Sequence, residues 1–238
     1  MALIERPSPN HGERRAGAGI DLLILHYTGM HSAAAALARL CDPAAEVSAH
    51  YLIDAFGLVY RLVPEERRAW HAGVACWAGE RDVNSRSIGI ELANPGHSFG
   101  YPDFPAAQIE ALADLAQGIL ARHAIPPHRV LGHSDVAPRR KADPGEKFPW
   151  RALAGRGIGL WPEPGAAPPE SAGDLGATQR ALAAFGYDIE PTGIADAPTA
   201  AVLRAFQRHF RPRRCDGVLD AETAALAATV ANGMAVIS

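Results

Sequence analysis

The chain has 238 residues, enough for one medium domain plus a smaller one at roughly 100–200 residues per domain. With 48% hydrophobic and 21% charged residues it has the balance of a globular protein that buries a real core. A formal net charge of -3 gives no bulk reason to bind nucleic acid or an anionic membrane, and no stretch approaches the roughly 18 apolar residues of a spanning helix.

The N-terminus, Met1-Ala-Leu-Ile-Glu-Arg-Pro, is broken by charge and proline and carries no secretory apolar region, so the expected compartment is the cytoplasm. Asp21-Leu-Leu-Ile-Leu-His-Tyr then reads as a short buried strand with a polar end. Ser32 to Leu40 is rich in alanine and leucine and predicts a helix capped by Ser32. His50-Tyr-Leu-Ile-Asp and Leu58-Val-Tyr-Arg-Leu-Val flank Ala55-Phe-Gly, which predicts a hairpin. Ser87-Ile-Gly-Ile-Glu-Leu is a further strand, and Gln108 to His123 places Ile109, Leu112, Leu115, Ile119 and Leu120 at helical spacing. Arg129-Val-Leu-Gly-His is a last short strand. Strands alternating with helices predict an α/β domain over residues 1–154, with a mixed central sheet flanked by helices. Residues 155–171, dominated by glycine, proline and alanine, read as a linker. Residues 172–238 hold three helical stretches, Leu175 to Phe185, Asp196 to His209 and Ala221 to Val230, and predict a small three-helix domain. The three cysteines, Cys41, Cys76 and Cys215, are widely spaced and form neither a disulfide framework nor a thiolate metal knuckle.

Two of the ten histidines differ from the rest because they close apolar strands: His26 after Leu22-Leu-Ile-Leu and His133 after Val130-Leu-Gly. A rigid element delivers each ring to a sheet edge, where open α/β sheets place their sites. Ten residues beyond His133 comes Asp143, within Lys141-Ala-Asp-Pro-Gly. Two imidazoles and one carboxylate suit Zn²⁺ and leave a fourth position for water in a catalytic site.

Five motifs in order make the pattern specific: Leu25-His-Tyr-Thr, Val47-Ser-Ala-His-Tyr, Ala69-Trp-His-Ala-Gly, Ser87-Ile-Gly-Ile-Glu-Leu and Gly132-His-Ser-Asp…Lys141-Ala-Asp-Pro-Gly. Over residues 15–155 the chain resembles the type 2 N-acetylmuramoyl-L-alanine amidases, the AmpD-like family, whose fold peptidoglycan recognition proteins share. The resemblance implies one zinc ion held by His26, His133 and Asp143, with Glu91 as the catalytic glutamate and Lys141 facing the reacting carbonyl. It implies hydrolysis of the amide bond between N-acetylmuramic acid and L-alanine in peptidoglycan or muropeptides. Where some phage relatives carry a tyrosine just before the histidine at His50, this chain has Ala49, so no acid–base role is carried over there. Substrate contacts are expected from His50 and His71 in the cleft, from Trp77 stacking on a sugar, and from Asn84 and Arg86, the latter pairing with a peptide carboxylate. The alternative is a binding-only recognition protein, which loss of a ligand or of the glutamate would favour; all four residues are present.

The C-terminal pattern, Leu175-Gly-Ala-Thr-Gln…Phe185-Gly-Tyr and Asp216-Gly-Val-Leu-Asp…Thr223, is similar to the peptidoglycan-binding type 1 domain. That resemblance implies a module that tethers the enzyme to polymer and so raises its local concentration. A polymer-binding module argues for a periplasmic or wall-associated location, against the cytoplasmic reading of the N-terminus. The basic residues Arg208, Arg211, Arg213 and Arg214 read as a solvated face, since no aromatics are arranged to stack bases. The sequence carries no signal for an oligomeric state.

Overall fold

The computed structural model describes residues 3–162 and 174–235; the linker expected at 155–171 is described to residue 162, and its remainder lies outside the described residues. The strands are β1 (Leu3–Glu5), β2 (His11–Glu13), β3 (Leu22–Tyr27), β4 (Tyr51–Ile53), β5 (Val59–Arg61), β6 (Arg67–Ala69), β7 (Ser87–Leu92) and β8 (Val130–Gly132). Six of them form a mixed sheet in the order β1-β5-β4-β7-β3-β8, and β2 with β6 makes a separate antiparallel pair. β4, β7, β3 and β8 run parallel, while β4 and β5 form the antiparallel hairpin that the sequence predicts.

The helices are α1 (Ala33–Leu40), α2 (Val83–Arg86), α3 (Ala106–His123), α4 (His133–Val136), α5 (Trp150–Ala154), α6 (Leu175–Phe185), α7 (Ala197–Phe210) and α8 (Ala221–Ala235). α1 starts where expected because the Ser32 hydroxyl accepts the Ala35 N–H at 3.1 Å. α7 is capped by Asp196, whose carboxylate accepts the Thr199 N–H at 2.9 Å.

Side-chain alternation along β3 divides the core in two. Leu23 and Leu25 pack with Ile88, Ile90 and the Leu112 and Ile119 side chains of α3. Leu22 and Ile24 face the opposite side, with Leu131 and Val136. His26 continues that second face, since positions two apart on a strand share a side. β3 is covered on both faces, which is why Leu22-Leu-Ile-Leu reads as an unbroken apolar run.

The three C-terminal helices form as predicted, but they do not stand apart as an appendage. Leu182, Phe185, Val202 and Phe206 belong to the same buried cluster as Leu22, Ile24, Trp77 and Val83. Gly186, at φ 135°, lies so close to Trp77 that an added Cβ would come within 2.5 Å of the indole. Only glycine takes that backbone conformation without strain and clears the ring as well.

Candidate metal centre and active-site cleft

The carboxyl ends of β3, β7 and β8 meet at one edge of the sheet. His26 is the register partner of Glu91 in the neighbouring parallel strand, so both side chains leave the sheet on the same face. His133 follows directly on β8 as the first residue of α4. The Ser134 N–H donates to the Asp143 carbonyl at 2.9 Å and joins the two segments that bear His133 and Asp143.

Three atoms converge there. His26 Nδ1 lies 2.9 Å from His133 Nδ1 and 3.0 Å from Asp143 Oδ2, and His133 Nδ1 lies 3.0 Å from the same oxygen. The neighbours of the other ring nitrogens fix which protons are present. The Ser87 hydroxyl donates to the Val83 carbonyl at 2.7 Å, so toward the His71 Nε2 at 3.1 Å it can only accept. His71 therefore carries its proton on Nε2 and offers a bare Nδ1 to His26 Nε2 at 3.0 Å. His26 donates from Nε2, and its Nδ1 is a lone pair. His133 donates from Nε2 to the Ala72 carbonyl at 3.0 Å, which bares its Nδ1 as well. Burial drives the His26 pKa down to about 4, with His133 adding to the effect and Asp143 opposing it, which favours the neutral imidazole at His26. Two imidazole lone pairs and a carboxylate oxygen at such spacing repel one another unless a cation sits among them. A ligand histidine whose far nitrogen is already committed to a hydrogen bond is the usual companion of such an ion. Among the described residues, this is the one group of three ligating side chains able to hold a metal.

Glu91 borders the same cleft, a cavity of about 450 Å³ that Trp70, His71 and Lys141 also line. Its Oε2 is buried without a hydrogen-bond partner among the described residues. Burial pushes the Glu91 carboxyl well above its ordinary range, Asp143 pushes it further, and Lys141 pulls it back. A carboxyl raised in this way holds a proton more readily than an ordinary glutamate, as a group that takes and returns one must.

The residues expected at the substrate divide. His71 borders the cleft, but its ring is committed at both nitrogens, behind His26. His50 is fully buried; its Nδ1 accepts the Gly89 N–H at 2.9 Å, so it supports β7 instead of facing a ligand. Asn84 is buried too, and its carbonyl accepts the N–H groups of His71 and Ala72 at 3.2 and 2.8 Å. It holds the loop whose His71 ring and Ala72 carbonyl meet the far nitrogens of His26 and His133. Arg86 sits at the opposite end of β7 and is spent on Asp21, with Nε 2.9 Å from Oδ1. It is out of reach of a peptide in the cleft. Trp77 is 2% exposed and meets Tyr187 and Phe185 edge-on at 5.0 and 5.5 Å, so no sugar can stack on it. Trp70, from the Trp-His-Ala-Gly motif, is the indole that lines the cleft instead.

Sequence reasoning also missed Ser87, Gly89 and the Ala72 carbonyl. A Cβ at Gly89 would come within 2.5 Å of the His71 ring, so the glycine makes room for it. The visible signal was the alternation Ser87, Gly89, Glu91 on one face, two small residues leading to an acid.

Converging lone pairs ask for a cation, and a carboxyl with an idle oxygen beside them asks for a proton; the class so defined is a metal-assisted hydrolase. The N-acetylmuramoyl-L-alanine amidase family profile matches residues 16–146, and a profile described as "Putative peptidoglycan binding domain" matches residues 171–226. N-acetylmuramoyl-L-alanine amidase AmiD of Escherichia coli (strain K12) is 41% identical over 227 residues, which cover 87% of this chain and 81% of that protein. A solved complex of E. coli AmiD with anhydro-N-acetylmuramic acid-L-Ala-D-gamma-Glu-L-Lys matches with a TM-score of 0.82 at 40% identity, covering 93% of each chain. AmpDh3 from Pseudomonas aeruginosa, in complex with anhydromuramic pentapeptide, matches with a TM-score of 0.79 at 36% identity, covering 95% of this chain and 98% of that one. The chain belongs to the N-acetylmuramoyl-L-alanine amidase family, and it is an enzyme that hydrolyses the amide bond between N-acetylmuramoyl and L-alanine. No helix among the described residues is long and apolar enough to cross a membrane.

Proposed function

We propose that the ion is zinc, held by His26 Nδ1, His133 Nδ1 and Asp143 Oδ2, and that the substrate is a muropeptide. The donor set supports zinc over magnesium or calcium, which prefer all-oxygen sites. When bound, zinc supplies water that is nucleophilic near neutral pH and polarises the scissile carbonyl.

The chain's own residues do the rest. Glu91 takes the proton of the attacking water on its idle Oε2 and returns it to the leaving nitrogen of L-alanine. Such proton transfer is worth about 10²–10⁴-fold. The Lys141 ammonium, on the rim of the same cleft, faces the oxyanion that forms at the carbonyl carbon. Trp70 offers a flat apolar surface to the substrate. The two relatives solved with anhydromuramyl peptides support ligands of that class in this cleft. The cytoplasm suits the three cysteines, which are all unpaired thiols; recovery of the protein from the periplasm on fractionation would overturn that assignment.

The observation that carries the reading is the convergence of the three bare donor atoms at 2.9–3.0 Å with both far nitrogens already committed. Incubation with a muropeptide, followed by mass spectrometry, tests it. Free stem peptide should appear, vanish with a chelator, and return with added zinc. Release that is indifferent to the chelator, in protein shown to be metal-free, would remove the proposed centre.

A further inference from the structure

The segment that carries His133 is held from beneath by a carboxylate the reaction does not use. Asp135, in α4, is 1% exposed. Its Oδ2 accepts the Gly132 N–H at 2.7 Å and so fixes the first turn, in which Ser134 also grips the Asp143 carbonyl. The orientation of His133 relative to Asp143 therefore depends on how α4 is held.

The rest of Asp135's bonding capacity is filled by the C-terminal bundle. The Tyr187 hydroxyl donates to Oδ1 at 2.6 Å, and His209 Nδ1 donates to Oδ2 at 2.8 Å. Both side chains are buried, Tyr187 at 3% and His209 at 2% exposure. The His209 ring stacks on Trp150 at 3.7 Å and on Phe210 at 4.0 Å, so it cannot swing away. A buried carboxylate needs several donors to stay in place, and two of the three here come from the bundle. Binding a polymer on the bundle's outer surface would require none of these bonds.

We infer that the bundle is a positioning element for the metal site: Tyr187 and His209, acting through Asp135, hold α4 so that His133 and Asp143 present their donors together. Neither residue touches metal or substrate. The inference rests on the metal reading above and gives the C-terminal helices a task besides tethering. Residues behind metal ligands commonly account for roughly 10–100-fold in affinity. Tyr187 and His209 act one bond further out, so the lower end of that range, about 10-fold, is expected for the pair.

The test uses the full chain. Tyr187→Phe, His209→Asn and the double variant are compared with Leu182→Ala, which opens a cavity in the shared core and removes no donor to Asp135. Zinc affinity is read by competition with a chromophoric chelator, and site geometry by the visible absorption of the cobalt-substituted protein. The double variant should bind zinc about 10-fold more weakly and alter the cobalt spectrum, while Leu182→Ala lowers the melting temperature and leaves both readouts unchanged. Unchanged affinity and spectrum in the double variant would reduce the bundle to a docked neighbour and overturn the inference. Should the double variant fail to fold, Tyr187→Phe removes a single oxygen and carries the same comparison. A wild-type protein that takes up no zinc would remove the metal reading, and this inference with it.

Discussion

Glu91 combines two properties that rarely meet in one side chain: it lies on a buried central strand, and one of its oxygens has nothing to bind among the described residues. Leaving a carboxyl oxygen unpaired in such a place costs stability, which a purely structural role would have no reason to retain. Glu91→Gln should therefore leave the protein folded and its zinc content intact, while kcat/KM falls by about 10²–10⁴-fold. Metal analysis beside a turnover assay checks this, and a variant that keeps full activity would take the general base away from this position. At this scale the sequence was informative about where a residue sits: His26, Glu91 and His133 each fall at a strand end, and the strands bring them to one sheet edge. It misled where the role is a hydrogen bond to backbone. Nothing in the local pattern distinguishes an Asn84 that faces substrate from one that accepts two N–H groups behind the site. Likewise Arg86 reads as a free cation until Asp21, distant in sequence, is seen beside it.

β7 shows how an element as a whole shapes the site. Its outer face, Ile88, Ile90 and Leu92, packs toward α3, while Ser87, Gly89 and Glu91 form a narrow trough on the other. His71 lies in that trough and cannot back away, because its ring is tied to His26 on one side and Ser87 on the other. Gly89→Ala should force the ring out of place. Overpacking of this kind typically costs about 1–3 kcal/mol, and the displaced His71 no longer fixes the proton on His26. Zinc affinity should fall by roughly 10–100-fold along with the melting temperature. Gly19→Ala is the matched control, since an added methyl there meets nothing. Equal zinc affinity in the two variants would show that His71 does not orient His26. The longer elements were legible because β3, β7 and α3 each carry enough residues to display a period. β1, β2 and β6, with three residues apiece, carry no period, and their pairing is set by tertiary contacts.

The whole molecule departs most from its sequence pattern at the junction of the two matched regions. A run of glycine, proline and alanine between them reads as a flexible tether, and a tethered module should melt on its own. Composition describes the connecting chain, not the affinity of the surfaces it connects. Trp77, Val83, Leu131 and Val136 share one apolar cluster with Leu182, Phe185 and Phe206, and Asp135 is bonded across the same surface. Separating the regions would strip this cluster from both sides, at about 1.5–3 kcal/mol for each large side chain returned to water. Two bodies coupled that strongly unfold together, because an intermediate with one of them melted exposes the shared core without gaining enough chain entropy to offset it. Scanning calorimetry of the full chain should accordingly show a single endotherm whose calorimetric and van't Hoff enthalpies agree. Leu182→Ala, placed in the bundle, should lower the melting temperature of the catalytic region by the same amount as that of the helices, followed through separate probes. Two resolved transitions, or a variant that shifts only one probe, would mean that the cluster is too weak to join the regions and that the tether describes the molecule better.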